Sequence, residues 1–201
     1  MILWLATGNA HKRAELAGIL SGHDIRVPGD AGIDGFDPEE TGNSFLENSL
    51  LKARALYRLL ARRGIYGPVI ADDSGLCVEA LEGRPGIYSA RYAGPGRVSG
   101  EGARESPSGS VRLGAGERNA LLLAELGDRP DRKARFVCAM VLLWDENRFY
   151  GVQETLEGEV VPDREGRGEG GFGYDPILYI PELGRTVAEL PEEEKNRLSH
   201  R

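Results

Sequence analysis

Apolar and polar residues alternate in blocks at the start of the chain, and each block predicts one element. The apolar run Met1–Thr7 predicts a buried strand, which Gly8-Asn9 ends. Residues 10–20 carry their apolar positions on one side and predict a helix, whereas residues 21–38 predict a polar connection. A strand, a glycine turn and a helix start present backbone N–H groups together, and this arrangement favours an anion.

Three side chains add chemistry to this opening turn. Thr7, Asn9 and Lys12 supply a hydroxyl, an amide and an ammonium group. A basic residue in the first turn of a helix opposes the helix dipole. Lys12 is therefore poorly placed for helix stability and well placed for a phosphate. The alternative from the residues alone is an ordinary strand-to-helix turn with surface charge.

The clearest helical pattern follows the polar connection. Ser44 and Glu47 predict a capping box at its start, and Arg63-Gly64 predicts its end. Between them, apolar residues recur at spacings of three and four, which is typical of a helix with one buried face. We expect that face to carry Leu46, Leu50, Ala53, Tyr57 and Leu60.

Val69–Val78 carries the most informative chemistry, because we expect a short buried strand with Asp72 and Asp73 at its carboxyl end. Two unpaired carboxylates there repel each other and resist loss of water, and a divalent cation such as Mg²⁺ removes both problems. The alternative is a solvated Asp-Asp-Ser-Gly turn, because these residue types favour turns. Glu39 and Glu40 serve either as favourable charges near a helix start or as a third carboxylate for the metal.

The second half of the chain mixes strands, helices and one irregular segment. Residues 94–116 are rich in Gly, Ser and Arg, and predict a flexible surface loop. Gly168–Gly173 matches the dinucleotide-binding spacing G-x-G-x-x-G, but no buried strand precedes it and no helix follows, so we reject that site. We predict one domain over 1–201. We also expect a helix at Glu117–Leu126, strands at Arg135–Trp144, Phe149–Leu156 and Ile177–Ile180, and a last helix from Pro191.

Charge narrows the range of partners. The net charge of −7 argues against binding to nucleic acid polymers, although a local cationic patch and a metal would suit a nucleotide. Arginine supplies most cations, so a retained lysine indicates a need for a compact point charge. The lysines are Lys12, Lys52, Lys133 and Lys195.

Cysteine usage and apolar content indicate a cytoplasmic protein with no membrane partner. Cys77 and Cys138 lie in apolar runs and predict buried free thiols rather than a disulfide or a metal pair. The apolar start is too short for a signal peptide and lacks a basic region before it. No apolar run approaches the roughly 18 residues that a membrane span requires.

Six groups of residues, in order along nearly the whole chain, resemble one known family. They are Thr7-Gly-Asn9 with Lys12; Glu39-Glu-Thr-Gly42 with Phe45 and Glu47-Asn48; Ala71-Asp-Asp-Ser-Gly75; Pro85-Gly86 with Ser89-Ala-Arg-Tyr92; Gly171-Phe-Gly-Tyr-Asp-Pro176; and Ala188-Glu189 through Lys195 to Ser199-His-Arg201. Each group alone is weak, whereas the ordered set is highly specific. By these residues the chain resembles the inosine/xanthosine triphosphate pyrophosphatases. It departs from them at 94–116, where relatives run quickly into a helix.

The resemblance implies a fold and an activity. The implied fold is α/β, with a curved mixed β-sheet and flanking helices in two lobes, and with the substrate in a cleft between the lobes. The implied activity uses Mg²⁺ to cleave a non-standard purine nucleoside triphosphate into the monophosphate and pyrophosphate. ITP, dITP and XTP are the implied substrates, and a homodimer is the implied assembly.

The resemblance also assigns roles position by position. Asp73 matches the proton acceptor and a metal ligand, Glu39 or Glu40 matches a further metal ligand, and Lys12 matches a catalytic cation. Phe172 is expected to stack on the purine. The residues that match substrate contacts are Thr7, Gly8, Asn9, Ala10, His11, Lys12, Ser74, Phe172, Gly173, Tyr174, Asp175, Lys195, His200 and Arg201.

Two alternatives compete with this interpretation. The first is a pyrophosphatase of other modified or standard nucleotides, which would share the metal chemistry but not the purine preference. The second is a nucleotide-binding protein without turnover. Missing carboxylates would favour the second, but Glu40, Asp72 and Asp73 are all present. From the residues alone, His200 and Arg201 would be an ordinary frayed terminus.

Overall fold

The computed structural model describes residues 1–94, 113–162 and 166–201. Seven strands and four α-helices lie within these residues. The strands are β1 (Ile2–Leu5), β2 (Asp24–Arg26), β3 (Val69–Val78), β4 (Lys133–Asp145), β5 (Arg148–Val160), β6 (Leu178–Ile180) and β7 (Arg185–Thr186). The helices are α1 (Ala10–Ile19), α2 (Phe45–Ala61), α3 (Ala115–Leu126) and α4 (Glu192–Leu198).

The strands form one mixed sheet in the order β2-β1-β3-β4-β5-β6-β7. β1 pairs in parallel with β2 and with β3, with Trp4 opposite Val69 in the second pair. β6 pairs antiparallel with β5 and with β7. The mixed sheet with helices beside it confirms the expected α/β class. No helix in the described ranges is long and apolar enough to cross a membrane.

The described residues group into two compact units. The first contains Met1–Ser74, Val137–Glu154 and Ser199–Arg201. The second consists of the described residues within Gly75–Phe136 and Thr155–Leu198. The prediction of one domain over 1–201 stays a prediction.

In the first unit, the strands distribute their side chains between two cores. Leu5 and Ile70 pack with Leu16 of α1 in one core. Val69 packs with Leu56 of α2 in the other. Because successive side chains of a strand point to opposite faces, α1 and α2 cover opposite faces of the sheet within this unit.

The second unit has one core between α3 and the strands. Leu122 and Leu126 of α3 pack there with Val78, Phe136 and Leu178. All five side chains are nearly or fully buried. Replacing a leucine of this kind with alanine typically costs about 2–5 kcal/mol, so this core is the main source of order around α3.

The acidic strand is longer than predicted. β3 continues to Val78, so Asp72 and Asp73 lie inside the strand and not at its end. The predicted strand end was wrong, and so was the alternative of a solvated turn, because both aspartates are buried. Gly75 explains the continuation: a Cβ there would lie 2.4 Å from the Gly86 carbonyl oxygen and from Ser89 Oγ. The glycine is needed for close packing within a strand rather than for a turn.

The second helix was predicted correctly in place, and four of the five residues of its expected face reach the core: Ala53 and Leu60 are buried, and Leu50 and Tyr57 pack against it. Leu46 is exposed, and Leu50 and Tyr57 are only half-buried. The side chains that α2 buries include three polar ones at its amino-terminal half, Asn48, Ser49 and Lys52. The predicted capping box is also only half formed. Ser44 Oγ accepts a hydrogen bond from the Glu47 N–H at 3.2 Å, but the Glu47 carboxylate accepts from the Asn43 N–H.

Other predictions differ in detail. β2 and β7 are short edge strands that periodicity did not predict. Most of the predicted loop at 94–116 lies outside the described residues, but Ala115 and Gly116 belong to α3. Cys77 and Cys138 are free thiols as expected, although Cys77 is only partly buried.

Candidate active site

The turn between β1 and α1 is organised by its own polar side chains. Asn9 Oδ1 accepts hydrogen bonds from the N–H groups of His11 at 2.9 Å and Lys12 at 3.3 Å, so Asn9 caps α1. Thr7 Oγ1 accepts from the Asn9 N–H at 3.1 Å. Gly8, Asn9, Ala10 and His11 are exposed. The helix start therefore leaves an accessible, ordered turn with Lys12 at its inner end.

Asp72 lies on the face of β3 that α1 covers. Its Oδ2 is 2.8 Å from Lys12 Nζ and 3.3 Å from Arg201 Nε, and Ser74 Oγ donates to it at 3.4 Å. Burial alone would raise the pKa of Asp72, but the Lys12 ammonium and the Arg201 guanidinium outweigh it and hold the pKa below its usual range. Asp72 is thus a permanent anion at neutral pH. Its buried Oδ1 has no hydrogen-bond partner among the described residues.

Asp73 lies on the opposite face of β3, toward α2. Its Oδ1 is 2.9 Å from Lys52 Nζ, and Asn48 Nδ2 donates to its Oδ2 at 3.4 Å. Lys52 Nζ also lies 2.9 Å from Glu40 Oε1, so one ammonium group joins two carboxylates. Burial raises the pKa of Asp73, and the Lys52 ammonium offsets only part of that rise. A buried carboxylate with a raised pKa is a stronger base than an ordinary one.

The two aspartates do not act together as the sequence suggested. Because they point to opposite faces of the strand, each has its own cations, Lys12 and Arg201 for Asp72 and Lys52 for Asp73. The two groups still influence each other, since the Lys12 charge lowers the pKa of Asp73 and the Lys52 charge lowers that of Asp72. We call Glu40, Asp72 and Asp73, with Lys12, Lys52 and Arg201, the carboxylate cluster.

Of the two glutamates proposed as metal ligands, only Glu40 reaches this cluster. Glu39 is exposed, whereas Glu40 and Asp73 share Lys52. In the part of the chain that the structure describes, no three His, Cys, Asp or Glu side chains form a metal-binding group. Of the expected metal ligands Asp73, Glu39 and Glu40, only Asp73 and Glu40 therefore lie together, and both contact the Lys52 ammonium.

Arg201 completes the Asp72 side of the cluster. Its Nη1 is 2.5 Å from Glu15 Oε2, and its Nη2 donates to Ser74 Oγ at 2.8 Å. The side chain of Arg201 is 2% exposed, so its guanidinium is held by Glu15, Asp72 and Ser74 rather than frayed. Glu15 is a buried acid of α1 that sequence reasoning did not select.

A second group of predicted residues meets in the loop 172–175, which we call the FGYD loop. Asp175 Oδ2 accepts from the Phe172 N–H at 2.7 Å and from Lys195 Nζ at 2.8 Å. The Lys195 ammonium also lies 4.9 Å from the centroid of the Phe172 ring. Gly171 has a φ of +71°, and a Cβ there would overlap the Asp175 carboxylate. The loop is thus a compact turn that displays an aromatic ring beside a lysine.

Two buried polar groups anchor the middle of the FGYD loop. The Tyr174 hydroxyl donates to the Ser89 carbonyl oxygen at 2.9 Å, and Asn119 Nδ2 donates to the Gly173 carbonyl oxygen at 3.1 Å. Burial raises the pKa of the Tyr174 hydroxyl, and the neighbouring Arg118 guanidinium opposes the rise. The Tyr174 hydroxyl therefore stays protonated and can donate to the Ser89 carbonyl oxygen.

Sequence reasoning missed four side chains that these two groups use: Glu15, Asn48, Lys52 and Asn119. The scarcity of lysine gave a signal for Lys52, because a buried point charge is a common reason to keep lysine in an arginine-rich chain. Asn48 belongs to a group that carries the family resemblance, but that resemblance assigned it no role, and Glu15 and Asn119 carried no signal, because nothing in a single polar residue on a helix shows which strand or loop it will face.

Comparisons with known proteins identify the family of this chain. A model of the Ham1 family matches residues 3–201. The dITP/XTP pyrophosphatase of Treponema denticola is 49% identical over 201 residues, which cover 100% of this chain and 93% of that protein. The dITP/XTP pyrophosphatase of Treponema pallidum (strain Nichols) is 42% identical over 100% of this chain and 66% of its own length. The solved HAM1 protein of Coxiella burnetii has a TM-score of 0.79 and 36% identity, covering 100% of this chain and 92% of that one. The chain therefore belongs to the Ham1 family.

Proposed function

We propose that this protein hydrolyses the non-standard purine nucleoside triphosphates ITP, dITP and XTP to the monophosphate and pyrophosphate. The names of the relatives, dITP/XTP pyrophosphatase, support this substrate class. The observation that carries the proposal is that Glu40 and Asp73 share the Lys52 ammonium, while the neighbouring strand residue Asp72 pairs with Lys12 on the other face of β3.

Asp73 is the proposed proton acceptor. Water attacks the α-phosphorus, its proton passes to the Asp73 carboxylate, and pyrophosphate leaves. The raised pKa of Asp73 favours this role, because a base is most effective when its pKa lies near the working pH. Lys52 holds the carboxylate in place at 2.9 Å and Asn48 fixes its second oxygen. Lys12 supplies positive charge for phosphoryl oxygens.

Mg²⁺ is the proposed cofactor, and the donor set suits it. Glu40 and Asp73 offer hard carboxylate oxygens, and the Lys52 ammonium between them marks a point where positive charge is favoured. Mg²⁺ sites commonly use one or two carboxylates and fill the remaining positions with water and substrate phosphates. When bound there, the metal would offset negative charge on the phosphates.

The remaining predicted residues divide into phosphate and base contacts. Thr7, Gly8, Asn9, Ala10 and His11 accompany Lys12 at the start of α1, where backbone N–H groups suit an anion. Ser74 extends this surface along β3.

The base contacts are proposed for the FGYD loop and the last residues of the chain. Phe172 stacks on the purine, an interaction worth on the order of 1–3 kcal/mol. Lys195, His200 and Arg201 are the residues proposed as donors for a 6-oxo group, and Gly173, Tyr174 and Asp175 are proposed to shape the FGYD loop. A polar site of this kind rejects a base that leaves its donors unpaired.

The assembly and the location remain part of the proposal. We propose a homodimer in the cytoplasm, on the resemblance and on two free cysteines that suit a reducing compartment. The mass in solution, measured by light scattering, checks the dimer.

One assay tests the function directly. Pyrophosphate release is measured for ITP, dITP, XTP, ATP, GTP and dTTP, each with Mg²⁺ and with a chelator. We expect release from the first three, little from the others, and none with the chelator. Equal rates for ITP, ATP and dTTP would favour the broader pyrophosphatase. Binding of ITP without release from any nucleotide would favour a protein without turnover.

A further inference from the structure

The amino-terminal half of α3 holds the centre of the FGYD loop. Asn119 is 8% exposed, and its Nδ2 donates to the Gly173 carbonyl oxygen at 3.1 Å. The positive charge of the neighbouring Arg118 guanidinium opposes the rise in the Tyr174 pKa. Two consecutive residues of one helix therefore act on two consecutive residues of the loop.

Asn119 fixes a part of the loop that the other anchors leave open. The Asp175 carboxylate binds the Phe172 N–H, and the Ala188 N–H donates to the Asp175 carbonyl oxygen at 3.1 Å, so these contacts hold the two ends. Between them, Gly173 has a φ of +65° and no side chain to pack. Among the described residues, Asn119 is the only side chain that donates to the Gly173 carbonyl.

The direction of this carbonyl determines the direction of a donor. The Gly173–Tyr174 peptide is trans, since the described residues contain one cis bond, at Arg84-Pro85. In a planar trans peptide the C=O and the following N–H point in opposite directions. A Gly173 carbonyl held toward Asn119 therefore turns the Tyr174 N–H away from α3. That N–H donates to no backbone carbonyl of the described residues.

We propose that Asn119 is a positioning residue for base recognition, which acts by aiming the Tyr174 N–H at an acceptor on the edge of the bound purine. The inference rests on the proposed function and extends it to a residue outside the binding loop. The base class that fits is a 6-oxo purine, because an oxygen at this edge accepts the hydrogen bond that a 6-amino group does not. The polar end of Asn119 need not touch the nucleotide.

Two variants test this role. Asn119→Ala removes the donor, and Asn119→Leu removes it while keeping a side chain of similar size. We expect KM for ITP to rise about fivefold or more in each, as one neutral hydrogen bond predicts, with kcat within about twofold of the wild type. The ratio of kcat/KM for ITP to that for ATP should fall. Urea unfolding of each variant identifies those that are folded.

A matched control separates positioning from stability. Leu121→Ala truncates a half-buried residue of α3 that packs on the same core and has no polar atom with which to bond the loop. This control should lose stability but keep the wild-type KM for ITP and the wild-type ratio of kcat/KM for ITP to that for ATP. The inference is overturned if a folded Asn119 variant keeps both values, or if Leu121→Ala changes them equally. A wild type that releases no pyrophosphate from ITP would instead contradict the proposed function.

Discussion

The carboxylate cluster and the FGYD loop are built in different ways. The cluster holds buried charges in place with other charges, as Lys52 does for Asp73 and Lys12 for Asp72. The centre of the loop, at Gly173 and Tyr174, is held by neutral donors on backbone carbonyls, from Asn119 and the Tyr174 hydroxyl, although its Asp175 end carries an ion pair with Lys195. Removing one member of a buried ion pair strands the other charge and typically costs about 3–5 kcal/mol, whereas a neutral hydrogen bond contributes about 1 kcal/mol.

This difference suits two different tasks. Charges in a cluster set protonation states, so the cluster is suited to moving a proton and to holding phosphates. Neutral donors on carbonyls fix geometry without adding charge, so the loop is suited to shaping a pocket for an uncharged base. The predictions below remove one element of each kind, and the cost of each removal tests the contrast.

The largest effect is expected from Asp73→Asn. Asparagine keeps the shape of the side chain but accepts no proton, so turnover should fall at least a hundredfold, the usual contribution of a general base. Urea unfolding should show that the protein is still folded, because Lys52 keeps Glu40 as a partner and Asn48 still reaches the new amide. Pyrophosphate release from ITP is the activity measured.

Asp145→Asn is the matched control. Asp145 is a partly exposed carboxylate at the end of β4 that pairs with Arg148 at 3.1 Å. This variant should keep wild-type turnover. If Asp73→Asn keeps even a tenth of the activity, Asp73 is not the proton acceptor.

The next effect is on stability, from Lys52→Met. The methionine keeps the apolar stem of a side chain that is 10% exposed, but it leaves Asp73 and Glu40 without their shared cation. We expect a loss of about 3–5 kcal/mol in the free energy of unfolding at neutral pH. Lys133→Met, at the exposed start of β4, should change it little.

A double variant sharpens this prediction. In an Asp73→Asn background the cost of Lys52→Met should be much smaller, because the only carboxylate that then loses the Lys52 ammonium is Glu40, which is more exposed. Urea unfolding of the four proteins gives the coupling energy. An equal cost in both backgrounds would mean that Lys52 stabilises α2 by packing and not by pairing with Asp73.

The sequence identified the chemistry of Asp72 and Asp73 but not their geometry. Asp, Ser and Gly favour turns, so the strand was expected to stop at Asp73, yet β3 runs on to Val78. Pairing along the sheet overrode the local preference. The close approach of Gly75 to the Gly86 carbonyl shows why a glycine sits inside this strand. The sequence of β3 alone does not show why glycine is required, because the atoms that approach Gly75 belong to Gly86 and Ser89.

Lys52 was missed as a member of the site because its contacts, too, are made with segments that are distant in the sequence. Apolar periodicity placed α2 correctly, but it assumed that buried positions are apolar. Asn48, Ser49 and Lys52 are buried because they face polar groups of β3, as the Ser49 hydroxyl donates to the Ala71 carbonyl oxygen at 2.9 Å. A helix that buries polar residues against a strand has no periodic signature of its own. The family resemblance selected Asp73 and Lys12 without revealing this partner.

The smallest effect is expected in the loop, from Tyr174→Phe. Removing the hydroxyl leaves the Ser89 carbonyl without this donor, so the free energy of unfolding should fall by about 1 kcal/mol near pH 8. Tyr66→Phe is the matched control, because Tyr66 is 73% exposed and its hydroxyl has no such role. This control should leave the unfolding free energy unchanged.

The pH dependence of that difference tests the neutral character of the loop. Burial raises the pKa of Tyr174 above its ordinary value of 10.0. The folded protein therefore keeps the phenolic proton at a pH where the unfolded chain releases it, and the wild type loses stability as the pH rises above 10. The loss from this group is roughly 1.4 kcal/mol per pH unit, and Tyr174→Phe does not share it. The cost of the variant should therefore shrink above pH 10 and vanish near pH 11. A difference that stays constant from pH 8 to pH 11 would mean that the folded protein ionises Tyr174 as readily as the unfolded chain does. The centre of the loop would then contain a charge in the way that the carboxylate cluster does, and the contrast between the two regions would fail.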